Sequence, residues 1–196
     1  MRVLTVSDIV VPTLYPLADR DAFDAIDLVV ACGDLPPEYL RYLAHAFNVP
    51  LFFIKGNHDI RFAKHPPGGC TDLNRRIVAF QGLRFLGLEG SMWYNGGPFQ
   101  YTEKQMRHHI RRLKLSLWWH RGVDVVVTHA PPLGIHDGKD LCHQGFACFR
   151  TLIQKHQPRY FLHGHIHTAF SEASARTTLF DNTRIINTYG HHILEI

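Results

Sequence analysis

The chain has 196 residues, of which 45% are hydrophobic and 19% are charged, a composition that suits one globular domain with a full core. Its net charge of +4 suits an anionic ligand but excludes no class of enzyme or binding protein. No segment approaches the roughly 20 apolar residues that span a bilayer, and the first residues lack a signal-peptide pattern. With four cysteines in no paired framework, we expect a cytoplasmic protein with reduced thiols and no membrane association.

Short apolar runs, which are typical of strands covered on both faces, alternate with helical segments along the chain. They predict strands at 2–6, 27–32, 51–55, 76–80, 83–88, 123–128, 159–163, 176–180, 184–188 and 191–196. Helices are predicted at 37–47, 103–119 and 145–156. No linker or repeat divides the chain, so we predict a single α/β domain over residues 1–196. Two sheets should pack face to face, with helices outside them.

The predicted helix 103–119 has a clear start and a clear buried face. Thr102 precedes it and Gln105 follows three residues later, which is a capping-box pattern. Its apolar stripe is formed by Met106, Ile110, Leu113 and Leu117. The stretch 107–119 is also basic and aromatic, which keeps nucleic-acid binding open, although a solvated helix face explains it better.

Polar residues follow five of the predicted strands. The blocks are Asp8, Gly33-Asp34, Gly56-Asn57-His58-Asp59, Thr128-His129 and Gly164-His165-Ile166-His167. Alone, Asp34 and the 56–59 block are equally well polar turns, and His129 is better explained as a satisfied histidine. His165 and His167 are a stronger signal, because residues two apart share a face of an extended chain. Ligands bind outside the carboxyl ends of strands in open α/β sheets, and five turns would rarely all end there in nitrogen and oxygen ligands. This mixture favours a borderline divalent metal such as Mn, Fe, Ni, Co or Zn.

In their order along the chain, these blocks resemble the motifs of the calcineurin-like metallophosphoesterases over residues 1 to about 170. The resemblance implies an αββα sandwich of two packed mixed β-sheets flanked by helices, with two divalent metal ions. Asp34 would bridge both metals. The other ligands implied are Asn57, His129 and His165 for the second metal, and Asp8 and His167 for the first.

The resemblance also implies a reaction. The enzyme would hydrolyse phosphodiester or phosphomonoester bonds of a small phosphorylated substrate, by attack of a metal-bound hydroxide on phosphorus. His58 would meet the substrate phosphate and act as the catalytic acid, and Asp59 would orient it as the second catalytic residue.

One position departs from the family pattern. The first motif of the family is usually Asp-x-His, and its histidine is a ligand of the first metal. Val10 stands at that place here and cannot bind a metal. We therefore predict that the first site binds metal more weakly than the second, and that dinuclear chemistry could be lost.

Two further questions stay open from the sequence. The chain could be a non-catalytic or weakly active relative that serves as a binding module, and Val10 would be a first step in that direction. The oligomeric state is also open, and a homo-oligomer is compatible with the sequence. Among secondary candidates, His143 is better explained as a surface residue, and the loop 90–98 is either a pocket wall or a plain connection.

Overall fold

The structure is a computed structural model, and it describes residues 1–16, 23, 25–168, 170 and 173–196. Its strands are β1 (Arg2–Ser7), β2 (Leu28–Ala31), β3 (Leu51–Phe53), β4 (Thr71–Asp72), β5 (Ile77–Phe80), β6 (Leu83–Leu88), β7 (Ser91–Met92), β8 (Gln100–Tyr101), β9 (Val125–Thr128), β10 (Tyr160–His163), β11 (Thr177–Phe180), β12 (Thr183–Asn187) and β13 (Gly190–Glu195). Its α-helices are α1 (Pro37–Phe47), α2 (Glu103–Arg112), α3 (Lys114–Trp119) and α4 (Ala147–His156). Two short 3₁₀ helices cover Ile60–Ala63 and Ala173–Arg176.

The strands form two large mixed sheets. The first has the order β13-β1-β2-β3-β4, and only β13 in it runs antiparallel to its neighbour. The second has the order β11-β12-β10-β9-β6-β5, in which the four central strands are parallel and the two edge strands are antiparallel. Strands β7 and β8 form a separate small pair. This topology places the carboxyl ends of the parallel strands at one edge of each sheet.

Three apolar layers hold the sheets and helices together. The layer between the sheets takes side chains from both of them, among them Val3, Val30, Phe52, Phe85, Val125 and Leu162. Helix α1 packs on the outer face of the first sheet. Helices α2, α3 and α4 pack on the outer face of the second sheet. The predicted αββα sandwich is therefore confirmed.

Most predicted elements are present, with corrections at their ends. Every predicted strand overlaps an observed strand, and the helix 37–47 and the capping box at Thr102 are confirmed. The predicted helix 103–119 breaks at Leu113, whose N–H donates to the Ile110 carbonyl oxygen as the chain tightens into a new turn. The break keeps both Leu113 and Leu117 buried. The third helix begins at Ala147 rather than at residue 145, because Phe146 pairs its N–H with the Pro131 carbonyl oxygen.

Within each sheet, the loops that follow two neighbouring parallel strands contact each other at the carboxyl ends of those strands. In the first sheet, the N–H of Asp8 donates to the Gly33 carbonyl oxygen at 3.1 Å. In the second, the N–H of Gly164 donates to the His129 carbonyl oxygen at 3.0 Å. Among the described residues, no helix is both long and apolar enough to cross a bilayer.

Arg84 on β6 ties the second sheet to the end of α3. Its Nε and Nη2 atoms donate to the Asp124 carboxylate at 2.7 and 2.8 Å, and Nη1 donates to the carbonyl oxygens of His120 and Arg121. These hydrogen bonds from Arg84 lower the pKa of Asp124. A carboxylate with a lowered pKa stabilises the fold above its unfolded pKa, and this contribution is lost as the pH falls through the folded pKa.

We expect Asp124→Asn to lower the free energy of unfolding at pH 7 by about 1–2 kcal/mol, since charged hydrogen bonds are lost in a partly exposed pair. The deficit should shrink below about pH 4, where the unfolded aspartate takes up a proton. Denaturant unfolding at neutral and acid pH measures both values, and Asp181→Asn, at an exposed turn, is the matched control. An equal deficit at both pH values would contradict this account.

Candidate metal centre

Loops after four strands bring carboxylate, amide and imidazole groups together where the sheets meet. Asp34 follows β2, Asn57 follows β3, His129 follows β9 and His165 follows β10. The His129 Nε2 atom lies 3.2 Å from Asp34 Oδ2 and 3.1 Å from Asn57 Oδ1. One ligand atom from each of Asp34, His129 and His165 lies within 4.8 Å of the others. The structure thus brings together the residues that the sequence assigns to the second metal.

Two glycines allow this close approach. A Cβ atom on Gly56 would lie 2.0 Å from Asp34 Oδ1 and 2.7 Å from His129 Cε1. At Gly33, whose φ is +94°, a Cβ atom would lie 2.7 Å from His129 Nδ1. Such contacts are too short for any larger residue, so glycine at these strand ends lets the ligands from the two sheets meet.

Three of the candidate ligands have a left-handed backbone conformation. Their φ angles are 67° at Asp8, 57° at Asp34 and 67° at His165. This conformation costs about 1–3 kcal/mol for a residue with a side chain and persists only where the surrounding structure holds it, often at functional sites. Here the N–H of His165 donates to the Asp8 carboxylate at 3.0 Å, which fixes one strained loop against the other.

The contact between Asp34 and His129 is a buried ion pair. Burial would raise the pKa of Asp34, but the charge of His129 and its hydrogen bond outweigh burial and hold that pKa at about 2. Burial would likewise lower the pKa of His129, but the charge of Asp34 raises it to about 9. Metal ligands must be deprotonated, so a cation that binds here replaces the proton on His129.

Hydrogen bonds on the outer side of the ligands aim their donor atoms into the site. His129 Nδ1 donates to the Cys32 carbonyl oxygen at 2.8 Å, which leaves Nε2 facing Asp34. Asn57 Nδ2 donates to the Tyr94 hydroxyl at 3.2 Å, which leaves Oδ1 facing His129. Partners of this kind fix the orientation of metal ligands and tune their affinity.

The chemistry of the donor set fits a divalent cation. It offers one carboxylate, one amide oxygen and two imidazoles, which suit a borderline metal. His165 is neutral, because burial and the charge of His129 lower its pKa to about 4. Cys32 does not compete as a ligand, since burial raises the pKa of its thiol to about 12. The residues that would hold the metal are Asp34, Asn57, His129 and His165.

The predicted first site has fewer protein donors. His167 Nε2 lies 3.4 Å from Asp8 Oδ1, and the His167 ring stacks on Tyr189 with ring centres 5.1 Å apart. The Asp8 side chain is buried, whereas 55% of the His167 side chain is exposed. Val10 is exposed at the surface and offers no ligand atom. Asp8 and His167 therefore lie together as expected, and the weaker first site stays a prediction.

His58 and Asp59 are neighbours in the loop after β3, but they have different surroundings. The His58 side chain is exposed, and the backbone N–H of His58 donates to Asp34 Oδ1 at 2.8 Å. Asp59 is buried, and its carboxylate accepts hydrogen bonds from the N–H groups of Asp34, Leu35 and Gly56 at 2.8, 3.0 and 2.8 Å. In the described part of the chain no hydrogen bond joins Asp59 to the His58 imidazole, because these three amides surround the carboxylate. The expected orientation of His58 by Asp59 is thus not what the structure shows.

The loop that carries Cys142 and His143 borders the site beside His165. His165 Nε2 donates to the Cys142 carbonyl oxygen at 2.7 Å, and the His143 ring centre lies 5.3 Å from that of His165. The Asp140 carboxylate holds His143 through Nδ1 at 2.9 Å. The sequence signals for these residues are weak: His143 stands in a glycine-bearing loop before a predicted helix, and Tyr94 lies in the loop 90–98, which the sequence leaves open as a pocket wall or a plain connection.

Comparison with known proteins identifies the family. The family model of the calcineurin-like phosphoesterases matches residues 1–169. Over 122 residues the chain is 29% identical to Metallophosphoesterase domain-containing protein 1 of Homo sapiens and of Mus musculus. That match covers 59% of this chain and 35% of each relative, so the chain matches about a third of the length of those proteins.

Solved structures share the fold at low sequence identity. TT1561 of Thermus thermophilus matches with a TM-score of 0.67 and 15% identity, over 96% of this chain and 89% of that one. YfkN of Bacillus subtilis, a calcineurin-like phosphoesterase, matches with a TM-score of 0.53 and 14% identity, over 100% of this chain and 85% of that one. The region matched by the family model contains every candidate metal ligand, and the chain belongs to the calcineurin-like phosphoesterase family.

Proposed function

We propose that this chain is an active metal-dependent phosphoesterase that hydrolyses phosphodiester or phosphomonoester bonds of a small substrate. The observation that carries the proposal is the exposed imidazole of His58 beside a converged set of second-site ligands. The backbone N–H of His58 donates to Asp34 Oδ1, so the residue lies next to the carboxylate that would bridge the metals. A protein that used the fold only as a scaffold would have no need of an exposed histidine there.

The chemistry divides between the metals and the chain. Bound divalent metals would activate a water molecule and neutralise charge on the phosphate oxygens. Asp34 and His129 hold a proton between them that must leave before a metal binds. His58 would stabilise negative charge on the phosphate and donate a proton to the departing oxygen.

A small cavity beside His58 offers a place for the leaving group. Its lining residues are Asp34, Leu35, Pro36, Pro37, His58, Asp59, Arg61 and Phe62. The proline and phenylalanine side chains make one wall apolar. Arg61 adds a positive charge, although it is already paired with Glu38. We assign this cavity to the leaving group because His58, the proposed acid, forms part of it.

The competing function is a non-catalytic or weakly active binding module. The exposed Val10 favours it, since a chain that loses one ligand of the first metal can lose that metal altogether. Such a protein would bind a phosphorylated ligand or a partner without turnover. It would release no product from any ester, with any divalent metal.

Activity and the role of His58 are tested in one assay. We expect the purified protein to hydrolyse a chromogenic phosphodiester or monoester when a divalent metal is supplied, in a panel that includes manganese. His58→Ala should lower turnover by about 10²- to 10⁴-fold, the usual contribution of a general acid, with metal binding unchanged. His108→Ala, at an exposed histidine on α2, is the control. Normal turnover in His58→Ala would remove His58 from the mechanism, and an inactive wild-type protein with bound metal would support the binding module.

Asp59 is expected to act through the metal site rather than through His58. In Asp59→Asn the amide nitrogen would face backbone N–H donors, so the loops that carry Asp34 and Gly56 should shift. We expect metal affinity to fall about 10- to 100-fold, as for other supporting residues of metal ligands, measured by calorimetric titration. Asp181→Asn serves as the control. Unchanged metal affinity with lower turnover would instead restore the role of orienting His58.

Val10 sets the balance between the two metal sites. We expect calorimetric titration of the wild-type protein to resolve one tight site and one weaker site. Val10→His should tighten the weaker site at least about tenfold, because it supplies the missing imidazole. Val10→Ala controls for the loss of the valine. Two equally tight sites in the wild-type protein would show that water or another residue replaces the missing ligand.

A further inference from the structure

Helix α3 carries an exposed apolar ridge on the side that faces away from the core. Leu115, Trp118 and Trp119 are 81%, 75% and 76% exposed, and their spacing places them on one face of the helix. Leu117 on the opposite side is buried in the core of the second sheet. Large apolar side chains grouped this way on a surface mark an interaction site rather than scattered exposure.

The ridge lies in the most basic part of the chain. Residues 104–123 contain six Lys or Arg side chains and no Asp or Glu; they are Lys104, Arg107, Arg111, Arg112, Lys114 and Arg121. The carboxylates at the two ends of this segment are already engaged, Glu103 with Arg107 at 3.1 Å and Asp124 with Arg84 at 2.7 Å. Glu103 therefore neutralises Arg107, and the other five cations have no acidic neighbour within the segment.

A groove of about 630 Å³ runs beside the ridge. Its lining residues are Lys114, Leu117, Trp118, Arg121, Gly122, Lys155 and His156. It therefore combines one tryptophan face with three side chains that are positively charged at neutral pH. Such a groove fits a phosphate group carried on an apolar body.

We propose that this face, formed by Leu115, Trp118 and Trp119 with the surrounding cations, docks on the surface of an anionic phospholipid bilayer. Tryptophan favours the boundary between headgroups and acyl chains, and Lys and Arg beside it attract anionic headgroups. The groove would receive a lipid phosphate. Docking of this kind requires no spanning segment, so it is compatible with the absence of a spanning helix among the described residues. It departs from the expectation of no membrane association, which rests on the sequence alone.

Other occupants fit the face less well. A second copy of this chain would bring the same cations opposite one another, which opposes association. Single-stranded nucleic acid would use the cations and stack bases on the tryptophans, but it gives no role to Leu115, which is the most exposed of the three. Insertion into a bilayer surface uses all three side chains and the cations together.

The position of α3 keeps docking separate from catalysis. Helix α3 leads into β9 at its amino end, whereas His129 follows the carboxyl end of that strand. The proposed metal centre therefore lies at the opposite end of the second sheet from the docking face. Variants of the docking face should leave the hydrolysis of a soluble ester unchanged.

The test is co-flotation of the purified protein with vesicles of phosphatidylcholine, with and without a third of phosphatidylglycerol. We expect binding to the anionic vesicles only, weakened by salt, with a blue shift of tryptophan emission. Trp118→Ser combined with Trp119→Ser should lower binding about tenfold or more, since two interfacial anchors are removed. Lys114→Glu, which keeps both tryptophans, should also lower it by reversing a headgroup contact.

Matched controls test whether vesicle binding depends on this face rather than on any exposed tryptophan or any positive charge. Trp93→Ser removes a tryptophan that is 51% exposed elsewhere, and Lys64→Glu reverses an exposed charge beyond the first sheet; both should bind vesicles as the wild-type protein does. The proposal fails if neutral and anionic vesicles bind alike, if neither binds, or if the double tryptophan variant binds normally. It also fails if the wild-type protein does not bind vesicles but binds a single-stranded oligonucleotide or associates with itself, and the same variants lose that binding.

Discussion

The buried ion pair between Asp34 and His129 is the contact on which the proposed site depends. Asp34 follows a strand of the first sheet and His129 follows a strand of the second, so their 3.2 Å contact joins the two layers of the sandwich at one edge. Neither charge is stable alone in such a buried place, because each loses its hydration. Together they hold a proton where a divalent cation would fit, which couples the packing of the sheets to metal binding.

The surroundings of this pair show how the chain accommodates it. Gly33 and Gly56 let two strand ends approach within contact distance, and no side chain larger than hydrogen fits there. Asp59 collects three backbone N–H groups and so fixes the loops that carry Asp34 and Asn57. Left-handed backbone at Asp34 and two other candidate ligands adds strain, which the hydrogen bonds between the loops offset. The strained backbone thus lowers local stability, and it holds the donor atoms in a fixed arrangement.

The sequence predicts the candidate metal ligands better than the loops that surround them. Strand ends can be predicted, because apolar runs locate the strands and parallel topology places their carboxyl ends together. The polar blocks follow from this pattern, and the resemblance to the family assigns the ligands within them. The contacts of Tyr94 and His143 cannot be predicted, because each reaches the site through a loop whose path depends on tertiary contacts. The orientation of the Asp59 carboxylate cannot be predicted from the sequence either. Its hydrogen-bond partners are backbone amides, which nearly every residue carries. The break at Leu113 also depends on tertiary structure. Packing of the helices on the sheet overrides the continuous helical pattern of the sequence.

We propose that the strand-end residues form a metal centre whose second site is more complete than its first. Anomalous diffraction from crystals soaked in a manganese salt would test it most directly. We expect a strong anomalous peak among Asp34, Asn57, His129 and His165, and a weaker peak beside Asp8 and His167. No peak among the first four residues, or a dominant peak elsewhere such as at Asp140, Cys142 and His143, would contradict it.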